Sequence, residues 1–173
     1  MIDANSGYLY KKRIDWSLLH EGITIPITIQ NKFLNQAKDF LNRGESKTIN
    51  LILEGKTYKA KLINQLFNSE KYKNRSDIIQ IRYSPTSEIA KEIRKIFIKS
   101  FEYLRLQKEI TKEDGIRKNI ILPDELNESI AIFITGYPDT YVLECFTDND
   151  YGIIKESVHG VKEQDFEYSV NYN

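Results

Sequence analysis

Two periods of hydrophobic and polar alternation run along this chain, and the switches between them mark its elements. Ile23, Ile25, Ile27 and Ile29 alternate with Thr24, Pro26, Thr28 and Gln30, which predicts a half-buried strand over residues 23–30. Pro26 cannot donate to a sheet ladder, so that strand belongs at an edge or a bulge. From 31 to 41 the period lengthens. Phe33, Leu34, Ala37, Phe40 and Leu41 fall at helical spacing, and Gly44 is a natural stop. Residues 49–53 and 57–63 then flank Glu54-Gly55-Lys56, and in the return arm Tyr58, Ala60 and Leu62 alternate with Lys59, Lys61 and Ile63. This is hairpin patterning.

Shorter signals fill in the rest. Residues 7–11 predict an opening strand, 15–20 one helical turn, and 78–83 a strand. Ser84-Pro85-Thr86-Ser87 is helix-start chemistry, and beyond it Ile89, Ile93, Ile96, Phe97, Phe101 and Leu104 recur at three and four. They predict one amphipathic helix over 87–106, roughly 20 residues and about 30 Å long. Its outer face carries Lys91, Arg94, Lys95 and Lys99. Residues 107–118 read as a charged linker, 124–129 as a turn of helix, and 130–134 and 141–146 as strands around a turn at 136–139. The sequence of Ile-rich strand, helix and hairpin at 23–63 recurs more briefly at 120–146, as two halves of one barrel would; chance likeness of two mixed segments stays open. The fold class expected is α+β.

Composition narrows the class. With 173 residues, 40% hydrophobic content, 11 Tyr and 8 Phe, the chain is expected to form one core with at most a small appendage. No apolar run approaches the ~18 residues of a membrane span, so no membrane partner is expected. A basic-then-apolar signal pattern is missing. Cys145 is the only cysteine, which excludes an intrachain disulfide and a cysteine-based zinc site, and a cytoplasmic location is expected. Charge then changes the picture. The 25 basic and 25 acidic side chains balance, but residues 1–118 hold 23 basic against 14 acidic, a net of +9, and residues 119–173 hold 2 against 11, a net of −9. A polyanion-binding part beside an acidic part would produce this. So would an acidic segment folded against a basic one.

Catalytic motifs are sparse. His20 and His159 are too few for a paired-histidine zinc site, and no nucleophile elbow, P-loop or dinucleotide fingerprint occurs. No catalytic residue, metal or cofactor is expected. Glu54-Gly55-Lys56 has the spacing of metal-dependent nucleases, with Asp39 upstream, but a hairpin tip splays such side chains into solvent. It reads as a turn, and a compact nuclease remains the rival enzyme reading. Cys145, inside an apolar strand, reads as a small buried hydrophobe. The positive signal is basic and aromatic: Lys11, Lys12 and Arg13 after Tyr8 and Tyr10, then Lys71, Tyr72, Lys73, Asn74 and Arg75, with Arg82 and Tyr83 ending the next strand. Lys and Arg neutralise phosphates, Asn and Arg read base edges, and Tyr offers stacking surface. Solvated loops, or a face docking on an acidic protein, are the alternatives.

The stretch from Ile23 through Pro26 to Leu34, followed by the hairpin from Ile49 through Gly55 and Lys56 to Tyr58 and Leu62, is similar to the B3-type DNA-binding pseudobarrel. In that family an Ile-Pro strand leads into a helix, then a hairpin with a Gly-Lys turn and an aromatic return strand. The long helix at 87–106 departs from the plant-type pattern. The resemblance implies an open β-pseudobarrel of about seven strands, here with two main helices, spanning residues 5–147 and followed by an acidic extension at 148–173. Bacterial members are target-recognition domains of restriction endonucleases, some modification-dependent. The implied function is sequence-specific, methylation-sensitive or not, binding of double-stranded DNA, with cleavage by a separate nuclease domain or subunit. The N-terminal arm would fall on Lys11, Lys12, Arg13 and Trp16 with Thr24 and Thr28 of the strand. The C-terminal arm would fall on Asn68, Lys71, Tyr72, Lys73, Asn74 and Arg75, with Arg82 beside it. Trp16 would be free to stack on a base.

Overall fold

The computed structural model describes residues 7–34, 41–65, 70–71, 78–113, 115 and 120–148. Seven strands form one sheet in the order β1-β6-β7-β3-β4-β5-β2. In chain order these are β1 (Tyr8–Arg13), β2 (Gly22–Ile25), β3 (Ser46–Leu53), β4 (Lys56–Asn64), β5 (Ile79–Arg82), β6 (Ser129–Ile134) and β7 (Thr140–Phe146). Every neighbouring pair is antiparallel except β3 with β7. The sheet curls into an open half-barrel, and four helices, α1 (Trp16–His20), α2 (Ile27–Leu34), α3 (Glu88–Ile96) and α4 (Ile98–Glu113), accompany it. The architecture is α+β with a pseudobarrel-like sheet, the fold class expected, with the open sheet that the resemblance implied. No helix among the described residues is long and apolar enough to cross a membrane.

The hairpin forms where it was read, with Lys56 paired in the return strand rather than in the turn. β3 and β4 pair without interruption from Ser46↔Ile63 to Leu53↔Lys56. Glu54 and Gly55 make the two-residue turn with φ of 49° and 78°, the doubly left-handed geometry that matches strand twist. Alternate residues Ile49, Leu51 and Leu53 of β3 and Ala60 and Leu62 of β4 are buried, and Ile79, Ile81, Ile23, Ile25, Ile130, Ile132 and Tyr141 continue that inner face. α1 closes it with Leu18 and Leu19, capped by the Asp15 carboxylate, which accepts from Leu18 N at 2.8 Å. β2 then meets β5 so closely that a Cβ at Gly22, with φ of 142°, would lie 1.8 Å from the Ile81 carbonyl oxygen. Only glycine fits there.

Several expectations are corrected. The strand predicted over 23–30 stops at Ile25, because the β2–β5 ladder ends at Ile25↔Ile79, before Pro26. Pro26 instead opens α2: its fixed φ suits a first helical turn, its carbonyl accepts from Ile29 N at 3.0 Å, and its missing N–H has no ladder to break. Ile27 is consequently 64% exposed, whereas Phe33, at helical spacing from Ile29, is buried. The predicted helix therefore starts earlier, α2 being described over Ile27–Leu34, with Ala37 and Phe40 outside the described residues. The long helix is also two helices. Ser87 caps α3, and Phe97, at φ −97° and ψ 46°, ends it with its ring in the core. α4 then runs through much of the expected linker to Glu113, supported on its surface by Arg105 bonded to Glu102 at 2.8 Å and Glu109 at 3.0 Å. Residues 124–126 form a turn, closed by Leu126 N to Pro123 O at 3.0 Å, so the segment at 120–146 carries no helix to echo α2.

Phe97 has no side-chain acceptor, so the cap of α4 comes from elsewhere. Buried Glu128 accepts from Ser100 N at 3.2 Å and Ser100 Oγ at 2.6 Å through Oε1, and from Asp148 N at 2.9 Å through Oε2. A carboxylate at a helix N-terminus also meets the positive end of its dipole. The main-chain oxygen of Glu128 accepts from Ile14 N at 3.1 Å. Glu128→Ala keeps the main-chain bond but orphans Ser100 N, Ser100 Oγ and Asp148 N, and is expected to cost about 3 kcal/mol in urea unfolding, whereas Glu128→Gln, keeping one acceptor, costs less. A loss below about 0.5 kcal/mol for the alanine variant, the range of ordinary surface changes, contradicts this role.

Candidate nucleic-acid interface

The sheet face away from the core carries the side chains free to meet a partner. Strand alternation on β4 buries Ala60 and Leu62 and therefore exposes Lys59 and Lys61. Arg82 ends β5, exposed by the same alternation against buried Ile79 and Ile81. The registers then align Gly22, Arg82, Lys61 and Thr48 directly across four strands. A second row holds Thr24 and Gln80, and a third Lys59, Asn50 and Thr140. Like charges directly opposite in an antiparallel pair are destabilising. Arg82 and Lys61 stand in that relation, and neither forms an ion pair among the described residues. They line, with Lys59, Thr48, Ser84 and Ser87, a shallow cleft of about 370 Å³.

The polar groups around the charges are ordered. Lys59 Nζ donates to Asn50 Oδ1 at 2.6 Å, and Asn50 Nδ2 donates to Thr140 Oγ1 at 3.4 Å. Gln80 Nε2 donates to Thr24 Oγ1 at 3.1 Å, and Arg82 Nη1 donates to Gln80 Oε1 at 3.2 Å. Such a surface presents three cations and several hydroxyl and amide groups on a rigid sheet, which is what phosphate positioning and base-edge contact require.

The sequence-derived residues divide. Thr24 and Arg82 belong to this face. Lys11, Lys12 and Arg13 lie on strand β1 rather than on a loop, because they pair with Ala131, Ile130 and Ser129 of β6. The strand splits them: Lys11 Nζ sits 4.2 Å from the centre of the Phe146 ring, and Lys12 pairs with Asp15 at 2.6 Å. Arg13 Nη2 donates to the carbonyls of Leu122, Pro123 and Leu126 at 3.2, 2.9 and 3.4 Å, so that guanidinium ties the segment before β6 to β1. Trp16 is stacked on His20 at 3.9 Å, lies 6.4 Å from Phe101 and has Lys108 Nζ 4.4 Å from its ring. Its ring is packed, not offered to a base. Thr28 is exposed on α2 instead of a strand, and Lys71 is exposed in a turn. Asn68, Tyr72, Lys73, Asn74 and Arg75 lie outside the described residues. Lys59 and Lys61 were visible as alternation. What alternation cannot give is the β4–β5 register that sets Lys61 against Arg82.

Other chemistry is thin in this part of the molecule. Glu54 sits at the exposed hairpin tip, and no group of three or more His, Cys, Asp or Glu among the described residues could hold a metal ion. A larger cleft of about 730 Å³ follows the apolar outer row of Ile52, Val142 and Phe133, but its polar edges are Glu54 and Glu144 and it has no basic lining. That repels a polyanion.

Burial holds the His20 imidazole below its ordinary value of 6.5, helped by Arg94 and Lys108, against the hydrogen bond between Nδ1 and Trp16 O at 2.9 Å. The unfolded chain therefore takes up this proton first as pH falls. His20's contribution to stability is complete above about 6.5 and declines as pH drops from there toward the lowered folded value. An NMR titration of the folded protein is expected to place the His20 midpoint below 6.5; a midpoint at or above it contradicts the packing of Trp16, His20 and Lys108. Comparison of the chain with protein-family models, with curated proteins and with solved structures gives no match.

Proposed function

We propose that this chain binds double-stranded DNA through the outer face of β2, β5, β4 and β3. In this reading it is the target-recognition module of a restriction or related defence nuclease, with cleavage supplied by another domain or chain. The observation that carries the DNA contact is the unpaired Lys61–Arg82 juxtaposition with Lys59 beside it. Exposed like charges held opposite each other are relieved by an anion, and a row of them spaced by strand geometry suits successive phosphates better than a single small anion. The recognition-module part rests on the likeness of the Ile-Pro strand, helix and hairpin to B3-type pseudobarrels, with which a seven-stranded open half-barrel agrees.

Charge reversal tests the placement. The variant carrying Lys59→Glu and Lys61→Glu is expected to lose about tenfold or more in duplex affinity by mobility shift at 50 mM salt. Reversal of Lys91 and Lys95, which are exposed on α3, is expected to cost much less. Equal losses would mean that the sheet face is not the contact. No binding of any duplex by the parent protein at low salt overturns the function itself.

A further inference from the structure

Within that DNA-binding reading, on which the inference rests, the outer-face side chains do not all have the same job. Lys59 and Lys61 end in compact ammonium groups, which serve phosphates in many orientations. Arg82 differs in ending in a planar fork of donors, and, like Lys59 on Asn50, it is held by a neighbouring amide. Its Nη1 donates to Gln80 Oε1 at 3.2 Å, and the amide of Gln80 is itself fixed, because Nε2 donates to Thr24 Oγ1 at 3.1 Å. Thr24 and Gln80 are register partners on β2 and β5, and Arg82 follows two residues on, on the same face. The relay crosses from the sheet's edge strand to the charged row.

Holding an arginine in one plane restricts a flexible side chain, and a phosphate contact gains little from that. A bidentate contact gains much, since two parallel N–H groups must meet two acceptors together. The guanidinium of Arg82 spends one N–H on Gln80, and no carboxylate occupies the rest among the described residues. Of the base edges in a duplex major groove, guanine alone presents two adjacent acceptors, O6 and N7, to such a fork. We propose that Arg82 reads a guanine, with Gln80 and Thr24 as its positioning residues, while Lys59 and Lys61 hold the backbone.

The test is selection of bound duplexes from a random pool, followed by affinity measurement on the selected site and on the same site with its guanine replaced. The parent protein is expected to select one invariant guanine and to discriminate against its replacement by about tenfold or more. Arg82→Lys, which keeps the charge but not the fork, removes that discrimination. Thr24→Val, which deletes the hydroxyl that fixes Gln80, weakens it severalfold at that one position, and Thr24→Ser restores it. A general loss of stability would lower affinity for both duplexes alike and leave their ratio unchanged. Discrimination that survives Arg82→Lys, or a Thr24→Ser variant no better than Thr24→Val, overturns the inference and leaves DNA binding standing. A parent protein that binds no duplex overturns both.

Discussion

A buried carboxylate organises this molecule. Glu128 takes three donors through its side chain and one through its main-chain oxygen. It thereby fastens the start of α4, Asp148 two residues beyond β7 and Ile14 just after β1 to the start of β6. A carboxylate so far from water persists only where its acceptor sites are used. The break at Phe97 creates the need, since it leaves the first N–H groups of α4 without a local cap. With β6 and β7 placed, β7 receives β3 in parallel, β3 carries its hairpin partner β4, and β4 receives β5. The row of Thr48, Lys61 and Arg82 stands at the end of that sequence of pairings.

The same arrangement resolves the opposed charges of the two parts of the chain. Some acidic residues of the last third do fold against the basic part: Asp139 pairs with Lys47 at 2.6 Å and Asp148 with Lys99 at 2.9 Å. Glu128 serves as a cap. None of these reaches the outer face of β4 and β5, so among the described residues neutralisation is local and Lys59, Lys61 and Arg82 form no ion pair. Among the described residues, a chain of zero net charge thus keeps a cationic surface. The apolar outer row at Ile52, Val142 and Phe133, with Glu54 and Glu144 at its edges, lies beyond the basic rows on the same sheet. Charge is segregated within one face as well as along the sequence.

Local patterns were legible where local physics decides them. The hairpin followed from alternation and a glycine turn, and residues 15–20 read as one helical turn, which the Asp15 cap makes in α1. Residues 23–30 misled because isoleucine at every second position satisfies a strand and, after Pro26, also supplies Ile29 four residues before Phe33 for a helix. The helix at 87–106 misled because Phe97 fits the helical spacing while its backbone leaves it. Arg13 shows the limit for sites. A basic cluster in sequence says nothing of which carbonyls lie nearby, and three of them claim its guanidinium. Conversely, Lys61 and Arg82 are 21 positions apart in the chain, and only a register fixed by the core faces of β4 and β5 sets them side by side.

In the proposed function, the outer face of β2, β5, β4 and β3 is the surface that meets DNA. Amide chemical-shift mapping of the folded protein on titration with a short duplex tests it most directly. The largest shifts are expected at residues 22–24, 46–50, 59–61 and 80–82, suppressed as salt is raised. Shifts confined to α3 and α4, or to the apolar row of Ile52, Phe133 and Val142, would contradict it.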